Sequence, residues 1–226
     1  MRGLPLPRGA REHVLARYPS GAKQRSEYRR GDEVVAEMLW EEDGSPSWGW
    51  RLRGGKRHGD EVEWWPNGQV SFTQPWVDGV LHGMARHYDD EGRLLLETRF
   101  VEGTGVDLWC DLYNRTLSEE TWFEAGRLRE RRWWNPDGRT VHMEEQYTDG
   151  AEHGIFRQWN EHGRLRRGFP KYFVRGERVD RRTYERRARR DPTLPRRRAE
   201  DDDPRRKLPA EYIGQPVHRE ARRRRT

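Results

Sequence analysis

The sequence predicts an all-β protein: an elongated antiparallel β-meander of tandem β-hairpin repeats, each about 24 residues long. Three observations lead to this prediction. Glycines recur with alternating gaps of 13 and 11 residues, large side chains recur with the same period, and polar and apolar residues alternate between the glycines. Self-similarity of this period is typical of a stacked array in which no repeat buries its apolar face alone.

The glycine pattern marks the corners of the predicted hairpins. Its regular part comprises Gly31, Gly44, Gly55, Gly68, Gly79, Gly92 and Gly103, and it continues less regularly through Gly126, Gly138, Gly150, Gly163 and Gly176. Asn67-Gly68 and Asp137-Gly138 are typical hairpin turns, because these residues tolerate the positive φ that a tight turn needs. Asp78-Gly79 and Asp149-Gly150 mark the opposite corner.

Two ladders of large side chains keep the period of the glycines. The first ladder is Trp40, Trp64, Tyr88, Leu112, Trp134 and Trp159, and the second is Leu52, Trp76, Phe100, Phe123 and Tyr147. Val70, Phe72, Gln74 and Trp76 alternate with other residues, as on one face of a strand. Pro75 lies between them and predicts an edge or a bulge. We expect packed stripes; a stacking platform for single-stranded nucleic acid is the alternative.

The chain divides into four predicted segments. Residues 1–20 are expected to be a flexible N-terminal lead, with a cover over the first strand as the alternative, and residues 21–179 the tandem hairpin repeats. Residues 180–191 predict a short capping helix with Asp180 as N-cap. Residues 192–226, rich in Pro, Arg and Asp, predict a disordered basic tail. The unit at 103–125 should be bent or bulged, because residues 113–116 replace a glycine turn.

Composition limits the class of protein. Only 32% of the residues are hydrophobic, against about 45–50% in ordinary domains, yet there are 11 tryptophans. This mixture favours a thin structure with stripes of large rings. The single cysteine, Cys110, fits a reducing compartment, and no stretch has the apolar length of a membrane span or signal peptide. We therefore expect a cytoplasmic protein.

The net charge of +6 is unevenly distributed. Residues 180–226 hold 17 basic and 9 acidic residues, and residues 1–20 hold 4 arginines and 1 glutamate. The repeat region, 21–179, is left with 24 basic and 29 acidic residues, a net charge of −5. The high isoelectric point therefore does not by itself indicate that the repeats bind nucleic acid.

A motif of Gly-x-x-His-Gly, an aromatic strand end and a second glycine turn occurs three times. Its residues are Gly55, His58, Gly59, Trp64, Asn67 and Gly68; Gly79, His82, Gly83, Tyr88 and Gly92; and Gly150, His153, Gly154, Trp159 and Gly163. The motif resembles the MORN-type repeat, and more closely the bacterial variant of the YwqK-family antitoxin (immunity) proteins. The resemblance covers residues 21–179, although units 21–54 and 103–149 lack His-Gly. It implies a non-catalytic binding protein that neutralises a toxin.

Catalytic and metal-binding arrangements are not predicted. Strands one repeat apart are separated by two strand spacings, about 9–10 Å, so the repeat histidines are too far apart to share a metal ion. We expect each histidine to form a hydrogen bond with neighbouring backbone. Glu144 and Glu145 beside His142 resemble an acid–base group, but side chains alternate across a strand, which favours a solvated face. Cys110 has no fixed partner. We expect no enzyme, cofactor, metal site or small-molecule substrate.

Two functional hypotheses follow from these features. The favoured one is a scaffold for protein–protein interaction that binds a protein, such as a basic toxin domain, through an acidic face. The candidate residues of that face are Glu61, Glu63, Asp89, Asp90, Glu91, Glu144 and Glu145. The alternative is an adaptor that binds nucleic acid or an anionic membrane through the Arg-rich residues 192–226.

Overall fold

The structure is a computed structural model of the chain, and it describes residues 4–111 and 116–208. The chain divides into two compact units, Met1–Gly103 and Thr104–Thr226, here unit 1 and unit 2. Each unit contains one open antiparallel sheet in which strands pair in chain order. The predicted all-β meander is therefore confirmed, but it is divided into two sheets.

The strands of unit 1 form a nine-stranded sheet, with β7 and β8 both pairing with β6. The strands are β1 (Arg11–Arg17), β2 (Lys23–Arg30), β3 (Glu33–Trp40), β4 (Pro46–Arg53), β5 (Lys56–Trp64), β6 (Val70–Val77), β7 (Val80–Leu81), β8 (Gly83–Tyr88) and β9 (Leu94–Phe100).

The strands of unit 2 form an eight-stranded sheet, in which β14 and β15 both pair with β13. The strands are β10 (Gly105–Asp111), β11 (Thr116–Glu124), β12 (Arg127–Trp134), β13 (Val141–Thr148), β14 (Ala151–Glu152), β15 (Gly154–Gln158), β16 (Lys171–Val174) and β17 (Glu177–Val179). Helix α1 (Arg181–Ala188) and a 3₁₀ helix (Ala199–Asp202) follow. The β10–β11 pair has a register shift between Trp109 and Cys110, but most neighbouring strand pairs have one, so it does not set the unit at 103–125 apart. Leu112 and the replaced turn at 113–115 lie outside the described residues.

Two kinds of turn alternate along the meander. At Asp78-Gly79, Glu102-Gly103 and Asp149-Gly150 both residues have positive φ, near 50° at the first and 76–86° at the second, as in type I′ hairpins. At Trp65-Pro66-Asn67-Gly68 only Gly68 has positive φ (79°), and the Gly68 amide donates to the Trp65 carbonyl. This corner is a wider turn that ends in a left-handed glycine, so Asn67 does not supply the positive φ expected of it.

The N-terminal segment differs from the predicted flexible lead. Residues 11–17 form β1, which pairs with β2, so the sheet begins well before residue 21. Upstream of β1, the Leu4 side chain is 1% exposed and belongs to a core cluster with Met38, Trp40 and Trp64. The leucines of residues 4–10 pack onto the sheet as a cover, as the alternative prediction stated, but the cover lies over β3 to β5 and not over the first strand.

The C-terminal region is more ordered than expected over its first part. Asp180 caps α1 by accepting a hydrogen bond from the Thr183 amide, and Tyr184 and Ala188 form the helix's buried side. Beyond the helix, Leu194 is buried and residues 199–206 lie on the sheet of unit 2. The expectation of disorder is therefore wrong for residues 192–208, while 209–226 lie outside the described residues. No helix in the described ranges has the length and apolar character needed to cross a membrane.

Candidate functional site

The three His-Gly motifs join neighbouring hairpins. The Nδ1 atoms of His58, His82 and His153 accept hydrogen bonds from the backbone amides of Asp78, Glu102 and Arg175, at 3.3, 3.3 and 3.0 Å. In each case the acceptor contacts the first residue of a type I′ turn. The amide of the next glycine donates to the carbonyl that precedes the histidine, at 2.8 Å in all three. Each motif thus fastens the following turn through two hydrogen bonds.

In two of the three motifs the glycine is required by close packing across the bulge, whereas at Gly59 (φ 90°) the backbone conformation alone favours glycine. Gly154 has φ 143°, and a Cβ atom there would lie 2.6 Å from Cβ of Gln146. Gly83 has φ 128°, and its Cβ would lie 2.9 Å from Cγ of Pro75. Pro75 therefore lies at the interruption between β7 and β8, as its lack of an N–H predicted.

Units without His-Gly use other side chains for the same contact. The Glu33 carboxylate accepts from the Gly54 amide at 3.0 Å, and the Thr104 hydroxyl accepts from the Ala125 amide at 3.0 Å. A side-chain acceptor opposite the first turn residue is therefore what the motif supplies, and histidine is one way to supply it. The role of the repeat histidines is structural.

Four rings of the first ladder lie at register shifts near strand ends, and Trp159 directly follows the end of β15. Trp40, Trp64, Trp134 and Trp159 are 3–8% exposed, while Tyr88 is half-buried. We call the side of each sheet that carries these rings the ladder face. In the second ladder Phe100 is buried, and Leu52, Trp76, Phe123 and Tyr147 are half-buried.

The opposite face of unit 1 carries a cluster of three indoles and one guanidinium around Glu61. The Glu61 carboxylate, 3% exposed, accepts hydrogen bonds from Nε1 of Trp48 (2.7 Å) and Nε1 of Trp76 (2.8 Å), and it pairs with Arg57. The Arg57 guanidinium lies over the rings of Trp50 and Trp76, 5.1 Å from each centroid. We call these five residues the tryptophan cluster.

The tryptophan cluster is held in one arrangement but remains accessible. Trp48, Trp50 and Trp76 are half-buried, and the Arg57 side chain is 38% exposed. The cluster forms because β4, β5 and β6 pair side by side, with Trp50 opposite Glu61 and Glu61 opposite Gln74. Sequence reasoning missed Trp48, Trp50 and Arg57. The available signal was Trp48-x-Trp50 in a strand, which places both rings on one face.

The ladder face of unit 2 carries a buried group of charges that we call the ionic cluster. Arg132 lies among Glu120, Glu130 and Glu144 and pairs with each of them. Glu120 also accepts hydrogen bonds from Nε1 of Trp122 and of Trp134. Glu120 and Glu144 are 1% and 4% exposed. Three carboxylates close to one guanidinium require further positive charge.

The C-terminal segment, residues 199–206, supplies that charge and covers the cluster. Arg206 donates to the Glu144 carboxylate at 2.6 Å, and its guanidinium lies 5.4 Å from the ring centroid of Trp159. The Trp159 indole donates to the Asp202 carbonyl at 2.7 Å. Arg157, 2% exposed, pairs with Asp201 and Asp202 at 3.6 and 3.4 Å.

Burial and charge shift the pKa values of this cluster in opposite directions. Burial raises the pKa of Glu130 to about 7; Arg132 lowers it, and Glu144 and Glu120 raise it. Burial also acts on Glu144, but Arg132 and Arg206 outweigh it and hold the pKa of Glu144 below its ordinary value. Glu130 therefore changes charge near neutral pH.

The predicted acidic face is not assembled. Three of its seven carboxylates are buried with donors at hand: Glu61 in the tryptophan cluster, Glu144 in the ionic cluster, and Asp89, which accepts from Arg93 and from the Glu91 amide within its own turn. Glu63 and Glu145 are half-buried, and Asp90 and Glu91 are exposed in that turn. The charge of these side chains predicted an exposed acidic surface. Three of the carboxylates are buried instead, because hydrogen-bond donors lie close enough to pair with them.

The other candidate groups have ordinary environments. Burial, with Asp111 nearby, raises the pKa of Cys110 to about 12, so its thiol is protonated at neutral pH. Among residues 4–111 and 116–208, no group of three or more His, Cys, Asp or Glu side chains is placed to hold a metal ion. Of the tail arginines described, Arg197, Arg205 and Arg206 pair with Asp202, Asp203 and Glu144.

Comparisons with known proteins do not assign the chain to a family. No protein-family model matches it, and no curated protein matches it either.

Proposed function

We propose that this chain is a non-catalytic scaffold that binds another protein through the tryptophan cluster of unit 1. The observation that supports this proposal is the preorganisation of Trp48, Trp50, Trp76 and Arg57 by one buried carboxylate. Tryptophan and arginine are the residues most enriched at the energetic centres of protein interfaces. Rings already fixed in the free protein lose little conformational entropy on binding.

The cluster also has the local composition of an interface rather than of a catalytic site. Half-exposed indole faces provide apolar area, and Arg57 provides a cation that is already partly desolvated between two rings. Glu63, half-buried beside the cluster, adds a carboxylate whose pKa burial raises. A partner surface with a protruding apolar or cationic side chain fits this arrangement.

The resemblance to YwqK-family antitoxin proteins narrows the proposed partner to a toxin domain. This narrower proposal rests on the Gly-x-x-His-Gly motifs and not on the tryptophan cluster. The two parts therefore need separate tests: one for binding at the cluster, and one for toxicity of whatever binds.

The binding test uses Trp50→Ala, with Trp133→Ala as a matched control. Both indoles are half-buried and both have an arginine over the ring, Arg57 at 5.1 Å and Arg131 at 5.6 Å. Affinity capture from the source cells should return a defined protein with wild type and with Trp133→Ala. Trp50→Ala should weaken its binding by about 30-fold, as for a hot spot of about 2 kcal/mol.

Equal capture by Trp50→Ala, or no specific protein with wild type, would contradict the scaffold proposal. Expression of the captured partner alone then tests the narrower proposal. A partner that arrests growth, and is neutralised by co-expression of this chain, supports the antitoxin role. A harmless partner removes that role and leaves the scaffold in place.

A further inference from the structure

A cavity of about 670 Å³ lies at the C-terminal end of α1, between the helix and the chain that follows it. Four arginines line it: Arg189, Arg190, Arg196 and Arg198. Asp201 is the one carboxylate in the lining, and Leu194 is part of its apolar wall. Its size is within the range of pockets for small molecules, about 300–1,000 Å³.

The side chains of the four arginines are exposed and form no ion pair with any described residue. Within the part of the chain that the structure describes, none of them pairs with a carboxylate, whereas Arg187, Arg197 and Arg205 do. Arg196 and Arg198 line the cavity, whereas Arg197 pairs with Asp202.

The carboxylate in the cavity is partly neutralised already. Asp201 Oδ2 lies 3.6 Å from Nη2 of Arg157, a side chain 2% exposed in β15. The lining therefore contains four unpaired positive charges and one negative charge that has its own cation. Such a concentration of positive charge in a concave surface attracts anions.

The backbone that carries these arginines is fixed at several points. Leu194 is 2% exposed and packs with Tyr184 and Ala188 of the helix. The Tyr184 hydroxyl donates to the Pro195 carbonyl at 2.8 Å, and the Asp191 carboxylate accepts from the Thr193 amide at 3.0 Å. The arginine side chains therefore extend from a backbone that packing and hydrogen bonds hold in place.

We infer that this cavity, the arginine pocket, binds an anion that carries several phosphate groups. Guanidinium groups match phosphate oxygens in planar, bidentate geometry, which makes arginine the preferred residue for such ligands. Four of them around one cavity exceed what a single monoanion neutralises. The inference is independent of the tryptophan cluster, which lies in unit 1.

Isothermal titration of the full-length chain with tripolyphosphate at low ionic strength tests the inference. The site variant is Arg196→Gln/Arg198→Gln. The control is Arg166→Gln/Arg167→Gln, which removes the same charge from two exposed arginines of unit 2 that do not line the cavity. Wild type and control should bind with a Kd well below about 1 mM, and the site variant at least about tenfold more weakly.

Equal weakening in both variants would mean general attraction to a basic surface and would overturn the inference. The absence of saturable binding by wild type would overturn it too. Circular dichroism on each variant checks that the fold is kept; if the site variant unfolds, Arg189→Gln/Arg190→Gln replaces it, with the same expected loss. Titration with ATP separates the sources: tighter binding than tripolyphosphate indicates a nucleotide, and equal binding indicates free oligophosphate.

Discussion

The ladder faces of the two sheets carry corresponding tryptophans but are covered in different ways. In unit 1, Trp40 and Trp64 pack with Met38 and with Leu4 of the N-terminal segment, an apolar cover. Gly49 makes room for it, since a Cβ there would lie 2.5 Å from Met38 Sδ and 2.8 Å from Leu4 Cδ2. In unit 2, Trp134 and Trp159 lie among buried charges beneath residues 199–206.

The difference shows that one repeat surface can be closed by two kinds of interaction. An apolar cover gains free energy in proportion to the area that it buries and tolerates small displacements. In an ionic cover the attraction between paired charges has to offset the desolvation of every charge, so the cover depends on each partner being present. We therefore expect unit 1 to respond to lost volume, and unit 2 to lost charge and to pH.

The largest expected effect is that of Trp64→Ala in unit 1. The change removes a ring 6% exposed from the cluster that contains Leu4 and Met38. It should lower the free energy of unfolding by about 3–5 kcal/mol, as for other large aromatic residues in packed sites. The control, Leu15→Ala, removes a side chain 49% exposed and should cost less than about 0.5 kcal/mol. Urea denaturation measures both; similar midpoints for the two variants would mean that the ring is not packed.

The ionic cover gives a charge-dependent counterpart. Arg206→Met leaves Glu144 with Arg132 at 3.7 Å as its remaining close cation, and should cost about 2–4 kcal/mol because a buried charge loses its partner. Replacing both groups, as Arg206→Met/Glu144→Leu, should recover much of that loss. If the double variant lost more free energy of unfolding than the two single variants lose together, the ionic description of this cover would be contradicted.

The pH dependence of stability should follow Glu130 in unit 2. Its pKa in the folded state, about 7, is above its ordinary value, so the folded protein binds this proton more tightly. The contribution is fully present below about pH 4.5 and is lost as pH rises through 7. Thermal unfolding of wild type and Glu130→Gln between pH 5 and 8 isolates it from other groups. Wild type should lose more stability than the variant over this range; parallel curves would contradict the assignment.

The smallest effects are expected at the His-Gly contacts. His153 is 2% exposed, and since its Nδ1 accepts from the Arg175 amide, its Nε2 carries the proton that it shares with Thr193 Oγ1. His153→Ala should cost about 1–3 kcal/mol, because a buried donor is left unpaired. His82 is exposed and accepts its hydrogen bond at 3.3 Å, so His82→Ala should lower the free energy of unfolding by about 0.5–1 kcal/mol. Denaturant midpoints that reverse this order would contradict the account of the motif.

The sequence contains enough to predict the meander, because turn chemistry and strand alternation act locally. Asp180 as N-cap and the interruption at Pro75 were predictable for the same reason. The tryptophan cluster was only partly predictable from the sequence, since Trp48 and Trp76 reach Glu61 from the two strands that flank its own. An N-terminal cover was predictable only as an alternative and without its contacts, and the cover by residues 199–206 was not predictable. Leu4 and Arg206 contact residues far away in the chain, and no period of the sequence reports such contacts.

The exchange rate of the tryptophan indole protons, measured by NMR, tests the difference between the two covers most directly. Residues 199–226 are removed in the test variant, which takes away the Asp202 carbonyl that holds the Trp159 indole. Trp159 Nε1–H should then exchange rapidly, while the Trp40 indole, which donates to Ser26 Oγ at 3.1 Å within unit 1, should stay protected. Unchanged protection of Trp159 would contradict the ionic cover of unit 2.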